Sequence, residues 1–224
     1  MERLNKFIAS AGIASRRACD ELIEQGKVKV NGQVTTVLGM KIDPFRDKVE
    51  VNDKLVARPE KKVYIKLNKP TGFITSASSS QGKTIFSLLR GIKERVYPVG
   101  RLDKDTSGLL LLTNDGEFAN QMMHPRYQHE KEYICETSQP ISEKQLKMLS
   151  QGVDIGDDLY TFPAKVKRLG KHSFGITIKE GRNRQIRRMV DAVGNKVKKL
   201  KRIRVDKYEL GNLPEGKWEY MSNV

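Results

Sequence analysis

The hydrophobic positions at the start of the chain predict two short helices followed by a hairpin. Leu4, Phe7 and Ile8 recur at helical spacing and give the first helix one apolar face. A second helix, RRACDELIEQ, follows Ser15, which is a good N-cap, and stops at Gly26. The next segment, KVKVNGQV, alternates around an Asn-Gly pair that suits a tight turn between two strands. Together these elements predict a small module at the N-terminus.

From residue 63 onward the pattern changes to many short strands. The segment VYIKL and the apolar run at 109–112 have the length and composition of strands, and we expect another strand at 72–75. Asn114 and Glu117 have the spacing of a capping box, so a helix is expected from there to about His124.

The C-terminal region combines an amphipathic helix with a basic strand. Ile186, Met189, Val190 and Val193 recur at helical spacing, which predicts a helix that begins at about Asn183. The stretch KVKKLKRIRV then alternates imperfectly, like a strand with one basic face. Because the polar segment ARPEKK precedes the strand-rich region, we expect domains at 1–57 and 63–224 joined by a linker at 58–62.

The charge of the chain indicates a polyanionic partner. Its 224 residues include 42 Lys and Arg against 27 Asp and Glu, a net charge of +15, and 38% are hydrophobic. The excess is concentrated at 179–204, with a net charge of +9, whereas residues 1–60 carry only +2. We therefore expect nucleic acid as the partner. No apolar run reaches membrane-spanning length and the N-terminus does not resemble a signal peptide, so we expect a cytoplasmic protein without a membrane partner.

Six basic residues lie around the helix turn and first strand of the N-terminal module, where they suit a phosphate backbone. They are Arg3, Lys6, Arg16, Arg17, Lys27 and Lys29. The segment RLNKFIASAGIASRRACDELIEQGKVKVNG resembles the alpha-L RNA-binding domain, which is named after a protein of the small ribosomal subunit. This resemblance implies that the module binds RNA.

Three motifs, in the expected order, resemble the RNA pseudouridine synthases of the RsuA and RluB/RluF type. GRLDKDTSGLLLLTNDG (100–116) is similar to the catalytic motif of that family, which implies that Asp103 is catalytic. HEKEYICE (129–136) resembles the second motif and gives Tyr133 the role of packing on the target base. EGRNRQIRRM (180–189) resembles the third motif, which implies that Arg187 pairs with the catalytic carboxylate. The sequence HEKEY in the second motif favours the RluF subgroup of this family.

The resemblance carries expectations about fold and function. It implies an α+β protein, with a small N-terminal alpha-L domain and a catalytic domain built on a mixed, mainly antiparallel sheet. The implied activity is site-specific isomerisation of uridine to pseudouridine in ribosomal RNA, with 23S RNA of the large subunit as the first candidate. Which uridine is modified, and whether transfer RNA is also a substrate, stay open. Such an enzyme is expected to act as a monomer, without metal or cofactor.

The reaction explains the residue types in the three motifs. The bond from ribose to the ring nitrogen must break, and the uracil must turn and rejoin through a ring carbon, so no redox partner is needed. An ionised carboxylate serves as a nucleophile on the sugar or the ring, or as a general base, and the sequence leaves these routes open. An aromatic surface stabilises an unstacked base, and an arginine keeps a carboxylate ionised.

Other basic residues of the same region are expected to contact RNA phosphates. They are Arg101 and Lys104 beside the catalytic motif, Arg184 and Arg188 on the C-terminal helix, and Lys198, Lys199, Lys201 and Arg202 on the following strand. Asp105 and Asp115 could form a carboxylate pair with Asp103, but neither spacing suggests a metal site. Both are assigned structural roles, and Asp115 with Gly116 is interpreted as a turn and helix start. Cys19 and Cys135 lack the spacing of a zinc site or a disulfide framework, so no metal is expected.

Two other functions are consistent with the basic charge. A non-enzymatic RNA-binding or ribosome-assembly protein would need only the basic surfaces, and Asp103, Tyr133 and Arg187 would then be incidental. A DNA-binding protein could use the two-helix turn, but these helices lead directly into a hairpin and no dimerisation heptad is present. Formation of pseudouridine distinguishes the enzyme from both alternatives.

Overall fold

The computed structural model describes residues 1–57, 61–76, 82–157 and 159–222. The chain divides into two compact units. One comprises Met1–Val63 with Lys93–Val96 and Asn114–Gly116, and the other comprises Tyr64–Ile92, Tyr97–Thr113 and Glu117–Val224. Residues 58–60 of the predicted linker lie outside the described residues. The predicted domain limits at 57 and 63 stay predictions.

The first unit contains two helices and two small sheets. Its elements are β1 (Glu2–Arg3), α1 (Leu4–Ser10), α2 (Arg16–Glu24), β2 (Val28–Val30), β3 (Gln33–Thr35), β4 (Lys41–Ile42), β5 (Val49–Val51) and β6 (Lys54–Leu55). β1 pairs with β4, and the other four strands form a sheet in the order β3-β2-β5-β6. The predicted cap is confirmed, since Ser15 accepts a hydrogen bond from the amide of Ala18 at 3.2 Å. The apolar faces of both helices pack with β2, β4 and β5 into one core.

The second unit is built on a large mixed sheet. Its elements are β7 (Tyr64–Lys69), β8 (Tyr97–Val99), β9 (Ser107–Thr113), α3 (Gly116–Met123), β10 (Lys131–Thr137), α4 (Glu143–Gln151), β11 (Lys165–Gly170), β12 (Ser173–Ile178), α5 (Gln185–Ala192), β13 (Val197–Val205), β14 (Tyr208–Glu209) and β15 (Trp218–Tyr220). Within the described residues the strand order is β11-β12-β10-β13-β9-β7-β15, with β14 on β13 and β8 on β9. Among the strand pairs of the described residues, only β13 and β9 run in parallel. The predicted mixed, mainly antiparallel sheet is confirmed.

Strand β9 lies at the centre of this unit because its side chains are apolar on both faces. The four consecutive leucines at 109–112 are almost fully buried. Leu109 and Leu111 pack with Met122 of α3 and Val205 of β13. A continuous apolar run of this kind is typical of a strand that is covered on both sides.

Two predicted elements differ from the structure. Residues 72–75 form no regular strand, and only Ile74 makes an isolated bridge, to Thr84. Helix α3 begins at Gly116, two residues after the predicted cap. Asn114 instead uses its side chain on the backbone, accepting from the amide of Val63 and donating to the carbonyl of Lys61, both at 2.9 Å.

Gly108 allows β9 and β13 to approach closely, and we expect Gly108→Ala to destabilise the protein by about 3 kcal/mol or more. Gly108 has φ +103°, and an added Cβ would lie 2.1 Å from the carbonyl oxygen of Arg202. Gly175→Ala on β12 is the matched control, because its nearest neighbours would lie at 3.9 Å. Urea unfolding of both variants checks this expectation. Equal stability of the two would contradict it.

Candidate active site

A cleft of about 1050 Å³ lies in the second unit, at the ends of several strands. Residues 99–103 line it before β9, residues 122–126 line it at the end of α3, and residues 179–187 line it from the end of β12 into the first turn of α5. Tyr133 of β10 and Arg202 of β13 also contribute to its wall. Asp103, Tyr133 and Arg187, which come from three separate motifs, therefore line the same cleft.

The loop that carries Asp103 is fixed by two polar side chains from the N-terminal part of this unit. Lys69, at the end of β7, donates from Nζ to the carbonyl oxygens of Asp103 at 2.9 Å, Thr106 at 2.7 Å and Pro70 at 3.1 Å. Thr75 donates its hydroxyl to the carbonyl of Leu102 at 2.9 Å. These bonds hold the backbone on both sides of Asp103, whose side chain is 35% exposed.

Lys69 is fully buried, which is unusual for a lysine. Burial lowers its pKa to about 8, although the nearby carboxylates of Asp103 and Asp105 act in the opposite direction. The ammonium is thus still protonated at neutral pH. Its three N–H donors match the three carbonyl acceptors, so the buried group is fully hydrogen bonded.

Asp105, rather than Asp103, is the main ionic partner of the arginines in the cleft. Arg184 donates to both carboxylate oxygens of Asp105, at 3.1 and 3.2 Å. Arg187 donates to the backbone carbonyl of Asp105 at 2.8 Å, and its Nε lies 3.4 Å from the carboxylate. Arg184 is also 3.9 Å from the carboxylate of Asp103. The expected pairing of Arg187 with Asp103 is therefore not formed in this structure. Asp105 has a structural role, as expected, and that role is to hold these two arginines.

The position of Asp105 explains its ionisation. Partial burial raises its pKa, but the hydrogen bonds from Arg184 and the charges of Arg187 and Arg184 outweigh this and leave the pKa below its ordinary value. The Nε of Arg187 is buried and makes no hydrogen bond, because its contact with Asp105 is not aligned. Arg187 thus keeps one unused donor.

Arg184 owes its direction to an unusual backbone conformation. It has φ +49° and precedes α5, which begins two residues later than predicted, at Gln185. Ile186, Met189 and Val190 are buried as their spacing predicts. The left-handed turn places Arg184 against Asp105 while the apolar face of α5 packs into the core.

Tyr133 forms part of the cleft wall from the middle of the sheet. It is paired with Ile176 of β12 and Arg202 of β13. Its side chain is largely buried, with 8% exposed. A base that contacts this ring must therefore leave its helical stack and enter the cleft.

The predicted RNA-binding residues occupy different environments. Exposed positions are held by Arg3, Arg16, Arg17, Lys27, Arg101, Lys104, Arg184, Lys198 and Lys199. Lys201 is half-buried, and Lys6 and Lys29 are half-buried and paired with Glu2 and Asp53, respectively. Arg101 and Arg184 line the cleft.

Two of the predicted RNA-binding arginines have structural partners instead. Arg202 is only 4% exposed and donates from Nε to the carbonyl of Leu109 at 2.8 Å, so it does not lie on an exposed basic strand face. Arg188 pairs with Asp157 at 2.6 Å and donates to the carbonyl of Ile155. The two contacts of Arg188 stabilise the loop after α4, which contains Ile155 and Asp157.

Sequence reasoning missed Lys69 and the role of Asp105. Lys69 stands in the segment KLNKPTG between Asn68 and Pro70, and nothing in this local sequence indicates the three carbonyls that accept its hydrogen bonds. The sequence offered one signal for Asp105, which is its spacing of two residues from Asp103. The arginines that contact Asp105 lie far away in the sequence. Only the folded chain brings those arginines within reach.

A family model for RNA pseudouridylate synthase matches residues 63–192, more than half of the chain. The chain belongs to the RNA pseudouridine synthase family. A second model, for the S4 domain, matches residues 2–47. This protein is therefore an RNA pseudouridine synthase with an S4 domain, as its three motifs predicted, and RNA is its partner. The non-enzymatic alternative is not favoured.

Characterised relatives and a solved structure are similar over most of the chain. Ribosomal large subunit pseudouridine synthase B of Bacillus subtilis (strain 168) is 49% identical over 209 residues, which cover 90% of this chain and 84% of that protein. The dual-specificity RNA pseudouridine synthase RluF of Escherichia coli (strain K12) is 40% identical over 223 residues, which cover 99% of this chain and 76% of that protein. A crystal structure of a pseudouridylate synthase matches with a TM-score of 0.71 and 32% identity, covering 99% of this chain and 96% of the other.

The described residues contain neither a membrane-spanning helix nor a cluster of metal-ligating side chains. None of the helices in this part of the chain has the length and apolar character needed to cross a membrane. Among the same residues, no group of three or more His, Cys, Asp or Glu side chains is arranged to hold a metal ion.

Proposed function

We propose that this pseudouridine synthase acts on large-subunit ribosomal RNA, with Asp103 as its catalytic carboxylate. The observation that carries the proposal is the meeting of Asp103, Tyr133 and Arg187 in one cleft, although they come from motifs far apart in sequence. The names of the two relatives described above support the choice of RNA. We further propose that the enzyme works as a cytoplasmic monomer without a cofactor.

Asp103 is proposed to supply the negative charge that the isomerisation needs. Breaking the bond between the ribose and N1 of uracil leaves an electron-poor sugar carbon, and the new bond forms at C5, which then loses its proton to solvent. Whether the carboxylate attacks the sugar, attacks the ring or takes a proton, it must be ionised and free to approach. The partly exposed side chain of Asp103, on a backbone held by Lys69, leaves the carboxylate free to approach the substrate.

Tyr133 and Arg187 are proposed to receive the base and to position the catalytic loop. The ring of Tyr133 offers a flat surface that offsets the loss of stacking when the uridine enters the cleft. Arg187 holds the carbonyl of Asp105, two residues after Asp103, and thus fixes the direction of the loop.

The choice among RNA substrates is tested with transcripts that contain uridine labelled with tritium at C5. The wild-type protein is incubated separately with 23S, 16S and transfer RNA transcripts, and the released tritium is counted. We expect release from 23S RNA at one or a few sites. Release from 16S or transfer RNA alone would overturn the proposed substrate, and release from none would overturn isomerisation itself.

Lys198 is proposed to contact a phosphate, and we expect Lys198→Gln to weaken binding of all RNAs to a similar extent. Removing one phosphate contact should flatten the plot of log affinity against log salt by roughly 0.7 to 0.9. Turnover at saturating RNA should stay within about twofold of wild type, because Lys198 is exposed and is not among the residues that line the cleft.

Filter binding at four salt concentrations measures this slope. Lys147→Gln on α4 is a matched control, because Lys147 is also an exposed lysine of the same unit and is not among the cleft residues. The slope of the control is expected to equal that of wild type. If Lys198→Gln and wild type had the same slope of log affinity against log salt, Lys198 would not contact an RNA phosphate.

A further inference from the structure

Three apolar side chains are exposed in the loop that leads to β11. Leu159 is 72% exposed, Tyr160 68% and Phe162 52%. Phe162 also lines the cleft that holds Asp103 and Tyr133. Large apolar groups that stay in water beside a functional cleft mark an interaction site more often than scattered single ones do.

The backbone of this loop is held firmly although its side chains are exposed. Glu180 accepts hydrogen bonds through one oxygen from the amide of Phe162 at 2.9 Å and from Nε2 of Gln185 at 2.7 Å. Arg182 donates to the carbonyls of Leu159 at 2.6 Å and Tyr160 at 2.8 Å. Arg182 and Glu180 also pair with each other at 3.0 Å. Phe162 is thus presented on a fixed backbone.

The same polar network belongs to the catalytic cleft. Glu180, Arg182 and Gln185 line the cleft and stand in the motif that contains Arg184 and Arg187. Gln185 is buried and is the first residue of α5. The position of Phe162 is therefore tied to the segment that positions the arginines around Asp105.

The charge around Phe162 indicates which molecule covers it. Arg101, Arg126, Arg182 and Arg184 line the same cleft and attract a polyanion. Proteins that bind single-stranded nucleic acid combine a basic groove for the backbone with aromatic side chains on which bases stack. A uridine that has left its helix has neighbouring nucleotides whose bases are unstacked on one side.

We propose that Phe162 stacks on a base that flanks the target uridine, and so forms a second base-binding subsite of the cleft. Tyr133 receives the target base, whereas Phe162 holds its neighbour and keeps the strand open. This inference rests on the proposed function and adds a residue that determines affinity and site choice.

The test compares Phe162→Ala, Phe162→Leu and Phe162→Trp with wild type, using the tritiated 23S transcript. We expect the Ala and Leu variants to raise KM by about tenfold or more, since removal of one stacked base has an effect of this size. The Trp variant should keep KM within about threefold of wild type. If Phe162 served only in apolar packing, Leu would restore the wild-type KM. A raised KM in the Leu variant together with a near wild-type KM in the Trp variant therefore identifies stacking.

Leu169→Ala is the matched control, because Leu169 is similarly exposed on β11 and is not among the cleft residues. Its KM is expected to equal that of wild type. Urea unfolding of every variant checks that the fold is retained, and the Trp variant gives a second measurement. The chain has one tryptophan, Trp218, so Phe162→Trp in a Trp218→Phe background carries a single fluorophore, whose emission should be quenched when the 23S transcript is added.

The outcomes separate this inference from the proposed function. If wild type releases tritium but the Ala variant keeps the wild-type KM, the stacking subsite is wrong and the proposed function stands. If wild type releases no tritium from the 23S transcript, the proposed function is wrong, and the stacking subsite that rests on it is wrong as well. Sedimentation of wild type and Phe162→Ala tests whether a second copy of this chain covers Phe162 instead. A wild-type dimer that dissociates in the variant would overturn base stacking and indicate a dimer interface.

Discussion

Replacing Asp103 by Asn is expected to lower isomerisation on the order of a thousandfold or more, while the affinity for RNA stays within about twofold of wild type. Asparagine keeps the shape of the side chain but has no negative charge, so each of the three routes open to the carboxylate is lost. Affinity should persist because the contacts that bind RNA are made by basic and aromatic side chains elsewhere.

Single-turnover tritium release and filter binding measure the two quantities separately. Asp191→Asn is the control, because Asp191 is an exposed carboxylate at the end of α5 and is not among the cleft residues. The control should match wild type in both measurements. Wild-type turnover in Asp103→Asn would remove Asp103 from the chemistry and leave Asp105 as the carboxylate to test.

Replacing Lys69 by Met is expected to lower turnover by roughly a hundredfold and the free energy of unfolding by about 3 kcal/mol at pH 7. Met has a similar length but no donors, so the carbonyls of Asp103, Thr106 and Pro70 would each lose a hydrogen bond. A buried carbonyl without a partner costs about 1–3 kcal/mol, which outweighs the relief of burying one ammonium. The loop of Asp103 would also lose its support, and a small displacement of a catalytic group has a large effect on rate.

The pKa of Lys69 gives this variant a pH signature. Burial lowers the pKa to about 8 in the folded protein, whereas a lysine in the unfolded chain titrates near 10.4. Between these values the unfolded chain keeps a proton that the folded chain has released, so this group makes wild-type stability rise with pH. Met lacks the proton, and the stability gap between wild type and Lys69→Met should therefore widen from pH 8 to pH 10.

Urea unfolding at pH 7, 8, 9 and 10 measures this gap. Lys66→Met is the control on the same strand, because Lys66 is only partly buried and pairs with Glu219 near the surface. Its stability at pH 7 should fall by much less than that of Lys69→Met, because only an ion pair near the surface is lost. A gap for Lys69→Met that narrows with rising pH would show that Lys69 is not a buried ammonium of lowered pKa.

Local chemistry allowed much of the fold to be predicted from the sequence. Ser15 has a short side chain that bonds the helix backbone beside it, and the spacing of Ile186, Met189 and Val190 requires one buried helix face. Strand β13 runs over Val197–Val205 as its alternation suggested. These features depend on residues that are neighbours in the chain.

The features that were missed depend on residues far apart in the chain. Arg202 alternates like a surface cation, but β13 lies between β10 and β9, and Gly108 lets the backbones approach so closely that Arg202 is enclosed. The pairing of Arg187 with Asp105 rather than Asp103 depends on the entry into α5 at a left-handed Arg184. Neither fact follows from spacing or composition.

We propose that this chain isomerises uridine in large-subunit ribosomal RNA through Asp103. The most direct measurement maps pseudouridine across the ribosomal RNA of cells that lack the protein and of the same cells supplied with wild type or Asp103→Asn. We expect one or a few pseudouridines in 23S RNA to be absent without the protein, to return with wild type and to stay absent with Asp103→Asn. An unchanged pseudouridine map of 23S RNA in all three strains would contradict it.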